Sequence, residues 1–267
     1  MNGAFPKVGC CGWRLSRPKY AEKFPAVEVQ QTFYDPPMLG TLKRWRASVP
    51  QDFEFTIKAW QLITHPSSSP TYRRLKTLLR PEEAAECGSF KSTSIVKQAW
   101  LATRDCAKVL GARLVLFQCP STFTPVESNL EQMRSFFHAI DREGLRLLWE
   151  PRGEWPENLI KSMCDELDLI HVVDPMTAAT VTPEFSYARL QGGPSYDGSH
   201  SDAQLRRLTD LIGSDNPTYV MFNNANMLED AMRFREFVQS ARTSKDWEFH
   251  RTSLNPMLMP NAQSPNS

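Results

Sequence analysis

The chain has 267 residues, 41% hydrophobic and 23% charged, a composition that suits a folded domain able to bury a core without disulfide or metal support. Its 31 Lys and Arg against 30 Asp and Glu leave a formal net charge of +1, so total charge encodes no general attraction to nucleic acid or to an anionic membrane. The opening MNGAFPKVGCCGW lacks a basic segment followed by an apolar core, and no run approaches the roughly 18 apolar residues of a membrane span, so a cytoplasmic protein with no membrane partner is expected.

The first β-rich run is Lys7–Cys11, and a short connection with two prolines, Trp13–Pro25, leads to the second, Ala26–Gln31. Leu39, Leu42 and Trp45 predict a helix over Met38–Ser48, ahead of a third strand at Phe53–Lys58. The next connection, Ala59 to Ala112, is the longest. It carries Pro66-Ser67-Ser68-Ser69-Pro70, the basic stretch Arg73-Arg74-Leu75-Lys76, and a helix over Thr93–Leu110. It reads either as a lid or binding loop or as a surface excursion without a role.

Strands then alternate with helices: strand Arg113–Gln118, helix Asn129–Asp141, strand Leu145–Glu150, helix Asn158–Leu167, and strand Leu169–Asp174. The connection after Asp174 shows no clear helix. Strand Tyr187–Gln191, helix Ala203–Ile212, strand Thr218–Asn223 and helix Met227–Ser240 complete the pattern. The tail from Ser253 to Ser267 is rich in Pro, Asn and Ser and reads as disordered, leaving residues 1–252 as a single domain. No internal repeat is visible.

Alternation with short connections implies a parallel sheet, and eight strands imply closure into a TIM-like (β/α)₈ barrel of the α/β class, with a long insertion after the third strand. Residues two apart on a strand share a face, and the outer face of a barrel strand packs against helices and must be apolar. The opposite set therefore points inward. That parity sends Glu28, Gln30, Thr56, Lys58, Gln118, Glu150, Arg189 and Gln191 inward, with Asp174 and Asn223 at strand ends and Arg152 just beyond Glu150. Charged or amide groups finish at least seven of the eight strands, all at the end where barrel enzymes assemble their sites. A structural ion-pair network is the competing reading, but apolar side chains would fill a barrel more cheaply. Trp13, Phe33, Tyr34, Trp60, Phe123 and Trp155 are placed at the same end, where rings suit stacking on a sugar or base.

Cys10, Cys11, Cys87, Cys106, Cys119 and Cys164 form no C-x-x-C pair, and the five histidines show no paired spacing, so no zinc site is expected. Only His65 and His200 fall where a site could use them. With no dinucleotide fingerprint and no P-loop, no cofactor is indicated.

At these residues the sequence resembles the YecE-like family, domain-of-unknown-function family 72. The resemblance runs from about Val8 to Phe237. It is carried by Gly9-Cys10-Cys11-Gly12-Trp13, Val27-Glu28-Val29-Gln30-Gln31-Thr32-Phe33-Tyr34, Phe53-Glu54-Phe55-Thr56-Ile57-Lys58 and Thr64-His65. It continues through Leu116-Phe117-Gln118-Cys119-Pro120, Glu150-Pro151-Arg152 with Trp155, Asp174-Pro175, Arg189-Leu190-Gln191-Gly192 and Phe222-Asn223-Asn224. The resemblance implies a barrel and implies no reaction. Gln30 stands where the family pattern has Asn, and Gln191 where it has His. Gln191 can exchange hydrogen bonds but cannot titrate near neutral pH.

Three functions are compatible with these residues. The first is a metal-independent enzyme acting on a small polar or anionic substrate, such as a sugar or phosphorylated metabolite. Glu150 would be its general acid or base, Glu28 and Asp174 further carboxylates, and Lys58 a base or nucleophile if burial lowers its pKa. Arg152 and Arg189 would hold the anion, with Trp13, Gln30, Tyr34, His65, Gln118, Trp155, Gln191, Asn223 and Asn224 around it. The second is a nucleic-acid enzyme or binder, disfavoured by the few histidines. The third is a non-enzymatic ligand- or partner-binding barrel. The oligomeric state is not encoded legibly.

Overall fold

The computed structural model describes residues 5–192, 198–212, 216 and 218–243. The predicted disordered tail, Ser253 to Ser267, lies outside the described residues. Eight parallel strands close into one barrel in simple sequence order. They are β1 (Lys7–Cys11), β2 (Ala26–Val29), β3 (Glu54–Lys58), β4 (Leu114–Gln118), β5 (Arg146–Glu150), β6 (Leu169–Val173), β7 (Ser186–Leu190) and β8 (Thr218–Phe222). Their register is continuous round the barrel, with Cys11 beside Glu28, Glu28 beside Thr56, Lys58 beside Leu116, Gln118 beside Glu150, and Cys10 beside Phe222.

The helices are α1 (Arg17–Ala21), α2 (Gln31–Tyr34), α3 (Leu39–Ala47), α4 (Gln61–Thr64), α5 (Pro81–Ala85), α6 (Ser94–Leu110), α7 (Glu127–Ala139), α8 (Glu157–Leu167), α9 (Asp202–Leu211) and α10 (Met227–Thr243). The β6–β7 connection has no helix, as its sequence implied. Among the described residues, no helix is long and apolar enough to cross a membrane.

The second strand is shorter than its apolar pattern predicted. It ends at Val29, Gln30 turns with a helical backbone, and Gln31 opens α2. Thr32 explains the turn: its hydroxyl lies 3.0 Å from the Val29 carbonyl and 2.7 Å from that of Lys58, satisfying acceptors where the ladder stops. Strands β6, β7 and β8 likewise stop one residue early, leaving Asp174, Gln191 and Asn223 just past the last ladder residue.

Two apolar layers separate by strand parity. Leu114, Leu116, Leu148, Ile170, Val172, Tyr187 and Met221 cluster inside the barrel. Val27, Ile57, Val115, Phe117, Trp149, Leu190 and Phe222 pack outward with the helices. The inner layer fills the lower barrel, so it is a plug rather than a pore, and the polar side chains sit above it.

The long connection after β3 folds back over the ends of β2 and β3. Backbone Gly88 and Phe90 N–H groups donate to Leu62 and Ile63 carbonyls at 2.8 Å each. The Tyr72 hydroxyl lies 2.9 Å from the His65 carbonyl, and Thr77 Oγ1 lies 2.7 Å from Asp35 Oδ1. The Arg74 guanidinium lies 3.5 Å from the Tyr34 ring centroid. Helix α6 then covers the barrel, capped by the Thr93 hydroxyl and ended by Gly111 in a left-handed conformation (φ 67°).

Two glycines define opposite expectations. A Cβ on Gly9 would lie 2.3 Å from the Ala26 carbonyl oxygen of the neighbouring strand, whereas one on Gly40 of α3 would meet no atom within 4 Å. Gly9→Ala is therefore expected to destabilise the barrel by about 1–3 kcal/mol, and Gly40→Ala to stabilise it by up to about 1 kcal/mol. Chemical denaturation of both variants checks the pair; equal effects would contradict the strand contact.

Candidate functional site

The barrel's C-terminal end is organised on Arg189 of β7, whose side chain is 1% exposed. Its Nε and one Nη donate to the two oxygens of Glu28 of β2 at 3.1 and 2.9 Å. The other Nη donates to Glu150 of β5. One guanidinium thus ties strands on opposite sides of the barrel, in the fork geometry that Lys cannot supply. Burial disfavours its charge, but Glu150 and Glu28 outweigh burial and raise its pKa further.

Each carboxylate is satisfied beyond that pair. Glu28 also accepts from the Tyr187 hydroxyl at 2.8 Å and from Gln30. The same hydroxyl lies 2.8 Å from Thr56 Oγ1. Glu150 accepts from Gln118 at 3.0 Å and Gln191 at 3.2 Å, and pairs with Arg152 at 2.9 Å. Burial pushes the Glu150 pKa up, but Arg189, Arg152 and Lys58 together pull it below the ordinary carboxylate value. Glu150 is thus held as an anion and is a poor proton donor at neutral pH.

Lys58 of β3 is the group out of balance. Its Nζ donates to Gln118 Oε1 at 2.6 Å and lies 3.6 Å from the Phe33 ring centroid. Among the described residues, no carboxylate lies within ion-pair distance of it. Burial, with Arg189 close by, lowers its pKa from 10.5 to about 7, and the attraction of Glu150 and Glu28 restores only part. Among the described residues, this is the amine at the mouth whose neutral form is populated near physiological pH.

A rim of neutral and charged groups lies above. Asn223 Nδ2 donates to Gln191 Oε1 at 3.1 Å, linking β8 to β7. Asp174 accepts from backbone N–H groups of Met176 at 2.9 Å and Gln191 at 3.0 Å. Asp174 thus anchors the β6 and β7 ends, with both oxygens engaged. Arg152 is the most open charged member, with 38% of its side chain exposed.

Several sequence candidates lie elsewhere. Trp13 packs outward on Tyr20 and Phe53, at centroid distances of 5.1 and 6.0 Å. Trp155 stacks on Phe123 at 5.9 Å, within the outer layer. Both rings lie past the ends of their strands, Trp13 two residues after β1 and Trp155 five after β5, and turn into the helix layer. Asn224 has the opposite parity to Asn223. It donates to the Gly198 carbonyl at 2.8 Å and to Asp230 at 2.7 Å, in a buried cluster with His200 that fastens the β7–α9 connection to α10. His65 is buried against Phe33, its Nδ1 2.7 Å from Thr64 Oγ1. Burial, with Lys58 near, lowers its pKa to about 3, so it is a neutral hydrogen-bonding group. Tyr34 stays beside the mouth under Arg74.

Sequence reasoning passed over Tyr187 as a site group, although it has inward parity, and for Cys11, near a strand end, it favoured a buried structural thiol over a site group. The Cys11 sulfur lies 3.6 Å from Arg189, and burial with Glu28 beside it pushes its thiol pKa up, so it stays protonated and unreactive. Phe33 was visible as a mouth aromatic, but its contact with Lys58 depends on the helical turn at Gln31.

The fold and this charged mouth define a (β/α)₈ barrel of the kind that builds sites at the carboxyl ends of its strands. The chain belongs to the family described as "Protein of unknown function DUF72", whose model matches residues 8–253. A DUF72 family protein from Thermotoga maritima matches at 18% identity and TM-score 0.66, covering 88% of this chain and 100% of that one. One from Enterococcus faecalis matches at 18% identity and TM-score 0.65, covering 90% and 99%. Endonuclease IV from Thermus thermophilus shares the fold at 12% identity and TM-score 0.53, covering 88% and 100%. Among curated proteins, none matches the chain.

Removing Arg189 leaves two buried carboxylates facing each other. Arg189→Met is expected to destabilise the protein by about 3–5 kcal/mol, and adding Glu28→Gln to recover part of the loss. Urea denaturation of the single and double variants checks this; additive losses would show that the pair is not coupled.

Proposed function

We propose that the chain is a metal-independent enzyme acting on a small polar or anionic substrate at the barrel mouth, with Lys58 as the proton-accepting or nucleophilic amine. The observation that carries this reading is the placement of Lys58, buried at the end of β3 with its Nζ 2.6 Å from the Gln118 amide oxygen and 3.6 Å from the Phe33 ring centroid, a setting in which burial pulls its pKa down to about 7. A general base works best when its pKa lies near the working pH. Burial and the neighbouring Arg189 lower that of Lys58, while Glu28 and Glu150 raise it part of the way back. Arg152 offers an accessible guanidinium for a carboxylate or phosphate, and Gln30, Gln191 and Asn223 offer amides for hydroxyl groups. This assignment moves proton transfer from Glu150 to Lys58, because Glu150 is held ionised by three cations.

Processing of nucleic acid is a second reading, favoured by the exposed Arg73 and Arg74 beside Tyr34 and by the fold shared with endonuclease IV. Among the described residues, no three His, Cys, Asp or Glu side chains converge as metal ligands. Oligonucleotide binding that weakens steeply with salt and is lost in Arg73→Ala/Arg74→Ala would favour this second reading.

The test is a thermal-shift and turnover screen of the full chain against sugar phosphates, sugar acids and small carboxylates. A ligand present at about 100 times its Kd adds about 2.7 kcal/mol of stability. Arg152→Gln is expected to weaken the ligand found about tenfold. Lys58→Met should abolish turnover while keeping binding. Turnover should rise with pH through about 7, and Lys58→Arg should stay inactive because guanidinium does not deprotonate. A substrate whose turnover ignores Lys58→Met would overturn the reading.

A further inference from the structure

The opposite, N-terminal end of the barrel holds a charge-lined cavity of about 600 Å³. Its floor is the bottom of the inner layer: Leu114, Phe185 and Tyr219. Four cations and two carboxylates line it, Lys7, Arg46, Arg113 and Arg146 against Asp52 and Glu54. The charges do not cancel, and the contacts show which are left over.

Glu54 is committed: Lys7 pairs with it, and the Tyr219 hydroxyl donates to its other oxygen. Arg46 is committed to the chain that carries it, donating to the Phe53 carbonyl at 2.7 Å, with Asp52 stabilising its charge. Arg113 and Arg146 remain. Arg113 stands just before β4 and Arg146 opens β5 opposite Leu114, with the Arg146 N–H donating to the Arg113 carbonyl at 2.9 Å. Among the described residues, neither guanidinium has a hydrogen-bond acceptor or a carboxylate within ion-pair distance. Arg146 is oriented instead by the Phe185 ring, 3.9 Å from its centroid. Two uncompensated like charges in one concavity repel each other, and the same field attracts an anion that can reach both.

We propose that this cavity is an anion-binding site, independent of the C-terminal mouth, that takes a small phosphate-bearing ligand with at least two negative charges. Arg113 and Arg146 are its charge-recognising pair, and the Tyr219 and Phe185 rings form the apolar wall against which the rest of the ligand packs. Arginine suits the role because each fork can donate two hydrogen bonds to phosphate oxygens. The two ends of the barrel are separated by the packed inner layer, so a ligand here does not reach Lys58. The site fits a regulatory or anchoring ligand rather than a reacting one.

Isothermal titration of the full chain with inorganic pyrophosphate at about 50 mM and again at about 150 mM salt tests this. Saturable binding is expected, with a component weakened about tenfold in Arg113→Gln and again in Arg146→Gln. Arg113→Lys should retain part of the affinity, because charge survives while the fork is lost. Arg152→Gln, at the mouth, should leave this binding unchanged. Both target arginines are exposed and unpaired, so their variants are expected to fold, which circular dichroism verifies. Absence of saturable binding would overturn the proposal. So would binding that falls in Arg152→Gln and survives both N-terminal variants, which would place the anion at the other end.

Discussion

The ion triad of Glu28, Arg189 and Glu150 is the constraint on which the upper barrel depends. It joins β2, β5 and β7 through one planar cation, and every polar side chain around it is arranged by what those carboxylates still need. Gln30, Tyr187, Gln118, Gln191 and Arg152 fill the remaining acceptor positions. A buried ion pair is rarely the cheapest way to stabilise a core, since burying each ion costs several kcal/mol before pairing repays it. Apolar side chains already fill the lower half of this barrel. The expense is confined to the end where barrel enzymes work.

The triad also determines the state of Lys58. Its two carboxylates are spent mainly on Arg189 and Arg152, so Lys58 has only an amide oxygen and a ring face for company. A lysine in that setting loses its charge more readily than one in water, because neither water nor a direct counter-ion stabilises the ammonium. The same carboxylates pull in the other direction, since Glu150 and Glu28 still raise the Lys58 pKa partway. The outcome near neutrality is a balance between burial and field, which is the condition for an amine that can both hold and release a proton.

The strand pattern and the inward parity of the polar residues were legible in the sequence because both follow from a period of two with one face against helices. That rule separates Leu114 and Leu116 from Val115 and Phe117, and it brings Glu28, Lys58, Glu150 and Arg189 together with no tertiary information. It fails where the strand stops. Gln31 begins a helix because Thr32 satisfies two strand-end carbonyls, a contact between β2 and β3 that no local pattern encodes. Trp13 and Trp155 lie past their strands, where parity has lapsed and the loop decides direction, and Asn224 has the parity opposite to Asn223. Which charge would be left unpaired was also illegible, because it depends on distances between side chains far apart in sequence.

The account turns on the ionisation of Lys58, and that can be measured without knowing the substrate. A carbon-13 NMR titration of the lysine side-chain Cε resonances, assigned by the Lys58→Arg variant, reads the amine directly. A midpoint of about 7 for Lys58 is the predicted result. A midpoint near the ordinary lysine value of about 10.4 would contradict it, leaving the mouth a structural ion network with no base.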